Sequence, residues 1–230
     1  MPSAPLPSVN AEYLKKNLLQ FSVAQTQEEK SSYHPPSSLS ASPPHPWSTY
    51  LINNLNLPPT SLPPLTLLSS LIVSWNLKVN LISRNPPPTP SHVLTRHILP
   101  SLSLLKLMPP KPKKIADVGT GGGFPGLPLS LVMPETRFTL IDSTKKKLKV
   151  IDDISEELKS ENVRTYHGRV EEMDPEIFDV IVGRSVADLP RFCMWVEHLM
   201  GGESILLYIK GGEIGVVVVV DVGLLVFFGD

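Results

Sequence analysis

The sequence predicts an α/β fold in which a doubly wound parallel sheet follows an N-terminal helical segment. Two observations lead to this prediction. After Lys111, short apolar runs alternate with helical stretches, which is typical of a parallel sheet covered by helices on both faces. A glycine-rich loop, IADVGTGGGFPG at residues 115–126, follows the first apolar run. Because crossovers between parallel strands are right-handed, such a sheet is doubly wound.

Each element has its own local signal. The predicted strands are KIADVG, RFTLID, NVRTYH, FDVIVG and SILLYIK, and the predicted helices between them are PGLPLSLVM, TKKKLKVIDDISEELKS and DLPRFCMWVEHLM. A second helix of the N-terminal segment is expected to begin at Ser91 as its N-cap and to bend or divide at Pro100. The first helix of the N-terminal segment is predicted by apolar residues that recur every three or four positions, at Leu65, Leu68, Leu71, Ile72, Trp75 and Val79.

Composition divides the chain into four parts. Residues 1–46 are dense in Ser and Pro and short of aliphatic side chains, so we predict a disordered head. This head could be a targeting segment, although it contains no Arg. Residues 47–110 form the predicted helical segment and residues 111–212 the sheet domain. Residues 213–230 form an apolar tail with neither an amphipathic period nor the chemistry of a recognisable turn.

Charge and cysteine content exclude a few classes. The formal net charge of -1 gives no global indication of nucleic acid. Residues 1–110 carry seven Lys and Arg against three Asp and Glu, whereas the remainder carries fourteen against nineteen, so a basic front half precedes an acidic back half. The single Cys193 excludes an intramolecular disulfide and cannot build a zinc site. The apolar stretch 214–228 is fifteen residues long and interrupted by Asp221, so no transmembrane helix is predicted.

The glycine-rich loop predicts a cofactor site. Gly121, Gly123 and Gly126 fit G-x-G-x-x-G, in which glycine permits a tight turn and close approach of backbone N–H groups to a ligand. Asp142 ends the second predicted strand, nineteen residues after Gly123, where a carboxylate can accept hydrogen bonds from two ribose hydroxyls. Loop and acid together predict an adenosine-type cofactor.

Asp117 distinguishes two such cofactors. An acid two residues before Gly119 would repel the pyrophosphate of a dinucleotide and attract the sulfonium and ammonium groups of S-adenosylmethionine. It favours S-adenosylmethionine, although a role in accepting N–H bonds from the loop is compatible with either cofactor. One alternative is an NAD(P)-dependent oxidoreductase, which the lack of a Tyr-x-x-x-Lys pair weakens. A second alternative to an S-adenosylmethionine-dependent enzyme is a catalytically inactive, truncated RNA-binding isoform.

Several blocks occur in a specific order, namely DVGTGGGFPGLPLSLVMPETRFTLIDSTKKKL, ENVRTYHGRVEEM, FDVIVGRSVADL and YIKGG. They resemble the RsmG/GidB family of guanine-N7 methyltransferases that act on small-subunit, 16S-type ribosomal RNA. WNLKVNLIS and RHILPSL resemble that family's N-terminal helices, so the likeness covers about residues 65–212. The resemblance implies a Rossmann-like class I S-adenosylmethionine-dependent methyltransferase, with residues 47–110 recognising the substrate.

The resemblance also implies roles for individual residues. Gly119 and Phe124 would line the methionine and adenosine side, Asp142 would bind the ribose, and Val170 with Glu171 would frame the adenine. Arg184 would lie where cofactor and substrate meet. No catalytic acid, base or nucleophile and no metal is expected, because guanine N7 carries an unprotonated lone pair and needs only alignment behind the methyl group. The expected cofactor-binding residues are Asp117, Gly119, Gly121, Gly123, Phe124, Asp142, Val170, Glu171 and Arg184.

Ribosomal RNA would be held through its phosphates, which requires Lys and Arg. The basic runs KLMPPKPKK and TKKKLK could equally be solvated surfaces. We expect small-subunit ribosomal RNA as the partner of a monomer, with neither DNA nor membrane involved. The Ser- and Pro-rich head before a bacterial-type enzyme indicates a plastid (chloroplast), with the cytoplasm as the alternative. The expected RNA-binding residues are Arg96, His97, Lys145, Lys146, Arg169 and Lys210.

Three departures from the family pattern stand out. Pro100 occupies a position where the family-like block would have an acid, and GRSVADL replaces SRAFASL around Arg184. After YIKGG the family would continue with a helix and two strands, whereas this chain runs EIGVVVVVDVGLLVFFGD. We therefore expect an organelle-type or truncated version, in which the sheet lacks its last strands and keeps an exposed edge.

Overall fold

The computed structural model describes residues 46–210, 215–220 and 224–228, so nearly all of the predicted disordered head lies outside the described residues. The described part contains one seven-stranded sheet with the strand order β3-β2-β1-β4-β5-β6-β7. Its strands are β1 (Lys114–Val118), β2 (Arg137–Asp142), β3 (Val163–His167), β4 (Phe178–Arg184), β5 (Met200–Lys210), β6 (Gly215–Val220) and β7 (Leu224–Phe228).

Seven α-helices accompany the sheet in the described part of the chain. Four of them precede β1, and the other three alternate with the parallel strands as predicted. They are α1 (Pro46–Leu55), α2 (Leu62–Asn76), α3 (Pro90–Val93), α4 (Leu99–Ser103), α5 (Gly126–Val132), α6 (Lys145–Glu157) and α7 (Leu189–Val196). None of the described helices is long and apolar enough to cross a lipid bilayer.

The Rossmann-like doubly wound fold is confirmed. Strands β1 to β5 pair in parallel, and the strand order reverses between β1 and β4. Ligands of such sheets bind at the carboxyl ends of the strands beside that switch point. Asp117, Asp142 and Arg184 all lie at those strand ends. The topology therefore brings the predicted cofactor residues to one edge of the sheet.

Two apolar clusters cover the two faces of the sheet. On one face, Leu65 of α2 and Ile98 share a cluster with Leu127 of α5 and Ile151 of α6, so the N-terminal helices pack onto the same side as α5 and α6. The other face is covered by α7, whose Phe192 is fully buried in the second cluster. The N-terminal segment is thus anchored to the sheet by burial of its apolar face.

The helix predicted to begin at Ser91 differs from expectation at its start. Its N-cap is Thr89, whose hydroxyl oxygen accepts the His92 N–H at 3.2 Å. A π turn at Leu94–Ile98 follows, and helical structure continues through Pro100 to Ser103. Proline cannot donate to the carbonyl four residues back and its ring crowds that carbonyl, and the π turn between α3 and α4 lies just before Pro100, so the regular helix is interrupted there, in agreement with the prediction.

The expectation that the sheet lacks its last strands is wrong. Tail residues form β6 and β7, which extend the sheet as two antiparallel strands beyond β5. The β-branched run at residues 216–220 favours extended backbone, and β5 presents an unpaired row of N–H and C=O groups to it. The open edge consequently moves from β5 to β7.

Candidate active site

The loop between β1 and α5 is shaped by glycines with positive φ. Gly119, Gly121 and Gly123 have φ values of 69°, 58° and 89°, which side chains rarely tolerate. A Cβ on Gly119 would lie 2.6 Å from Cγ1 of Val186. A Cβ on Gly121 would meet nothing closer than the Gly119 carbonyl oxygen, at 3.8 Å. The loop is therefore tightly packed at Gly119, against Val186, and open at Gly121, where its backbone can approach a ligand.

Asp117 lies fully buried under this loop. Its Oδ2 accepts the Thr120 hydroxyl at 2.6 Å and the Gly126 N–H at 2.8 Å, so the role of holding the loop is observed. Its Oδ1 is also buried and has no hydrogen-bond partner among the described residues. Burial raises the pKa of Asp117 to about 6, although both hydrogen bonds and the charge of Arg184 oppose that rise. A cation near this carboxylate would favour its ionised form.

Asp142 connects the end of β2 to the same loop. Its Oδ2 accepts the Gly121 N–H at 2.9 Å, and its Oδ1 accepts the Thr144 N–H at 2.8 Å. Each oxygen keeps lone-pair capacity, because an ionised carboxylate has about four acceptor sites. The two halves of the site that sequence spacing predicted are thus directly hydrogen bonded.

The predicted adenine side follows β3. The Gly168 N–H donates to the Asp142 carbonyl at 3.2 Å, which tethers this segment to the end of β2. Val170 is buried with Ile141, whereas Glu171 is exposed in the same short 3-10 turn. Both residues reach the carboxyl edge of the sheet, and their contact with an adenine ring stays a prediction.

Phe124 brings together three parts of the chain. Its buried ring stacks on the imidazole of His97, with 5.1 Å between ring centroids and 30° between planes. The Arg184 guanidinium carbon also lies 5.1 Å from the Phe124 centroid, a cation–π geometry. The π turn at Leu94–Ile98 carries His97 into this contact.

The charges in this aromatic group are unusual. Burial lowers the pKa of His97 to about 3, assisted by the positive charges of Arg184, His92 and Arg96, so its ring is neutral at physiological pH. Its Nδ1 is buried without a hydrogen-bond partner in the described part of the chain. Burial also lowers the pKa of Arg184, while Asp117 opposes that change. None of the salt bridges among the described residues includes Arg184.

Basic side chains surround this edge of the sheet. Lys145 and Lys146 are exposed on the first turn of α6, three and four residues beyond the end of β2. Arg169 is exposed just after β3, and Arg96 is exposed on the π turn. Lys210 is the last residue of β5, and its side chain is not among those that the structure describes. Contacts of all these residues with RNA stay predictions.

Sequence reasoning missed two residues of the site. Thr120 lies inside the glycine-rich loop, so its position three residues after Asp117 could have indicated the hydroxyl–carboxylate contact. Val186 follows β4 and fills the space beside Gly119, a contact that depends on tertiary structure alone. Among residues 46–210, no three His, Cys, Asp or Glu side chains are grouped as a metal site would require.

The chain is similar to known proteins of one family. Residues 62–214 match the model of the GidB family, described as rRNA small subunit methyltransferase G. The ribosomal RNA small subunit methyltransferase G of Christiangramia forsetii is 44% identical over 154 residues, covering 64% of this chain and 71% of the relative. The protein of the same name from Chlorobaculum tepidum is 41% identical over 145 residues, covering 63% and 65%, respectively.

A solved structure of coclaurine N-methyltransferase aligns with a TM-score of 0.47 at 13% identity, covering 88% of this chain and 58% of that one. So distant a likeness says nothing about the site. The family match, in contrast, spans the glycine-rich loop, Asp142, Arg184 and the helices that carry His97. The chain belongs to the rRNA small subunit methyltransferase G (GidB) family.

Proposed function

We propose that this protein transfers a methyl group from S-adenosylmethionine to N7 of a guanine in small-subunit ribosomal RNA. The observation that carries the proposal is the meeting of two features at one sheet edge. An open glycine loop is hydrogen bonded to Asp142, and beside it Phe124 contacts both Arg184 and His97. The relatives are named as ribosomal RNA small subunit methyltransferases, which supports methyl transfer to that RNA.

The residues of the loop fit the cofactor. Gly121 leaves open space for a ligand, and Asp142 retains acceptor capacity for two ribose hydroxyls. Asp117 supplies a buried carboxylate with one unpartnered oxygen, which favours a cationic ligand over the pyrophosphate of a dinucleotide. Bound S-adenosylmethionine supplies an electrophilic methyl group.

The Phe124 group fits a guanine base. Arg184 carries N–H donors free of any described carboxylate, which suit the O6 acceptor of guanine and would oppose the amino group that adenine has there. N7 itself must stay free for attack and needs no general base. These residues therefore act by orienting the base and excluding water, and the half-buried, neutral ring of His97 extends the apolar surface beside Phe124.

The lysines of α6 support a phosphate contact. Lys145 and Lys146 occupy the first helical turn, where a positive charge opposes the helix macrodipole. Their charges therefore do not stabilise α6 through its dipole. Exposed cations at a helix N-terminus do suit an RNA phosphate, because the free N–H groups of the first turn attract the same anion. We propose that the chain engages RNA here as a monomer.

The test combines binding and activity. Calorimetry with S-adenosylmethionine and NAD in separate titrations should show binding of the first alone. Tritiated methyl transfer to small-subunit RNA lacking the modification should then yield 7-methylguanosine. Binding without transfer to that RNA would show that the substrate is wrong, and binding of NAD alone would overturn the reaction class. Light scattering of the free protein should give the mass of one chain.

A plastid location is part of the proposal. Its support is the Ser- and Pro-rich composition of residues 1–46 ahead of a bacterial-type domain, and the alternative is the cytoplasm. Residues 1–60 fused to a fluorescent protein should enter plastids. Retention of that fusion in the cytosol would contradict import.

A further inference from the structure

We propose that the hydroxyl of Tyr208 is a positioning group for the cofactor loop. The hydroxyl fixes the backbone of the turn after β4. This turn keeps the Val186 side chain packed against Gly119. The proposal rests on the proposed function for the identity of the cofactor, since S-adenosylmethionine is the ligand whose affinity the turn would control. No motif around Tyr208 indicated such a role.

The hydroxyl of Tyr208 is fully used by one short segment. It accepts the backbone N–H groups of Val186 at 2.8 Å and Ala187 at 3.1 Å, and it donates to the Ala187 carbonyl at 2.7 Å. A phenol offers one donor and up to two acceptor sites, so its capacity is exhausted. Tyr208 is 2% exposed, and water therefore has little access to replace these bonds.

The position of the Tyr208 ring is set by its neighbours in the sheet. Tyr208 lies opposite Gly183 in the β4–β5 register. A Cβ on Gly183 would lie 2.5 Å from Cζ of Phe192 and 3.3 Å from Cδ2 of Tyr208, so glycine makes the space that both rings occupy. The two ring centroids are 4.7 Å apart. The hydroxyl is therefore presented from a rigid, packed ring.

The turn that the hydroxyl holds is locally unfavourable. Ser185 has φ of 52°, a left-handed conformation that favours glycine over side chains such as serine. Its N–H donates to the Ile209 carbonyl at 3.0 Å, and the next two N–H groups donate to Tyr208. Without the hydroxyl, those two N–H groups would have no acceptor and the turn would relax.

Val186 transmits this constraint to the loop. Both of its methyl groups would lie within 2.7 Å of a Cβ built on Gly119, so the Val186 side chain packs directly on the Gly119 backbone. The Gly119 N–H donates to the Ile141 carbonyl at 2.9 Å, one residue before Asp142. Direct contacts therefore connect the Tyr208 hydroxyl to Val186, Val186 to Gly119, and Gly119 to the strand that ends in Asp142.

The experiment compares single and double variants. Tyr208→Phe keeps the ring and removes only the hydroxyl, and its Kd for S-adenosylmethionine should rise at least about threefold by calorimetry. Val186→Ala should raise the Kd to a similar degree. The double variant should raise it by much less than the product of the two factors, because both changes break the same connection. Amide exchange at residues 186 and 187 should accelerate in Tyr208→Phe.

Tyr50→Phe is the matched control, because it removes a phenol hydroxyl from α1, and its Kd should stay unchanged. An unchanged Kd in a folded Tyr208→Phe protein would overturn the proposal. A double variant whose rise in Kd equals the product of the two single-variant factors would also overturn the proposal. If Tyr208→Phe does not fold, a wild-type Kd in Val186→Ala overturns the proposal instead.

If wild-type protein binds S-adenosylmethionine but methylates no RNA, the proposed substrate fails while the role of Tyr208 stands. If wild-type protein binds no S-adenosylmethionine at all, the proposed function fails. The role of Tyr208 in cofactor affinity then fails as well, even if amide exchange accelerates in Tyr208→Phe.

Discussion

The guanidinium of Arg184 and the ring of Phe124 lie in cation–π contact, 5.1 Å from guanidinium carbon to ring centroid. The same ring stacks on His97. Phe124 belongs to the loop after β1, Arg184 to the end of β4, and His97 to the N-terminal helical segment. One buried ring therefore connects the cofactor loop, the sheet and the segment predicted to recognise the substrate.

Replacement of Arg184 should impair methyl transfer. Arg184→Lys keeps a charge but loses the planar group that stacks on Phe124 and presents paired donors, so we expect roughly a tenfold loss of rate at saturating S-adenosylmethionine. Arg184→Ala should lose more. Single-turnover transfer to unmodified RNA measures both. Arg191→Lys on α7 is the control, because Arg191 is exposed and pairs only with Asp188 among described acids. A full rate in Arg184→Lys would contradict the assignment.

Asp142 should dominate cofactor affinity. Asp142→Ala removes the ribose acceptor together with the hydrogen bond from Gly121, and we expect binding of S-adenosylmethionine to weaken by ~2 to 3 kcal/mol. Asp142→Asn keeps one acceptor oxygen and should lose about half as much. Calorimetry gives both values. Wild-type affinity in a folded Asp142→Ala protein would remove Asp142 from the site.

Asp117 should make stability depend on pH. Its pKa is about 6 in the folded chain, against an ordinary value of 3.8 for an aspartate carboxyl, so the folded state binds the proton more tightly. Its contribution to stability is therefore fully present below about pH 4 and is lost as the pH rises through 6. The loss is up to about 3 kcal/mol. Urea denaturation of wild type and Asp117→Asn, without cofactor, should show their difference shifting in favour of the variant as pH rises. A difference independent of pH would contradict the buried charge.

Lys145→Glu should separate stability from RNA binding. An acid at the first turn of α6 complements the helix dipole, so the unfolding free energy should rise by about 0.3 to 1 kcal/mol. RNA affinity should fall, and its dependence on salt should become less steep. Lys149→Glu is the control for RNA affinity alone, since it makes the same charge change one turn later in the helix but also breaks the ion pair of Lys149 with Asp153. RNA affinity equal to wild type in Lys145→Glu would exclude a phosphate contact there.

The tail strands should contribute to stability. Val218 pairs with Leu207 in the β5–β6 register, and β6 has neighbours on both sides. Val218→Pro removes a ladder N–H from a strand that is not at the edge, so we expect a loss of at least ~1 kcal/mol and a lower Tm. Thermal denaturation measures it. An unchanged Tm would show that β6 does not pair with β5 in solution.

Sequence by itself determined the five parallel strands, the three helices between them and the loop with Asp117, Gly121 and Asp142. These features depend on the spacing of apolar residues and on the turn-forming property of glycine, which are readable within short windows. The doubly wound topology followed, because the handedness of crossover connections leaves few arrangements.

Only the tertiary structure decided which distant groups meet. His97 reaches Phe124 through a π turn that local propensity does not encode, and the Tyr208 hydroxyl reaches Val186 from a neighbouring strand. The tail becomes two strands because β5 offers an unpaired edge, although its own sequence carries no alternation of apolar and polar residues. In each case the partner lies outside any local window, and the contact exists because strand register and packing bring the two groups together.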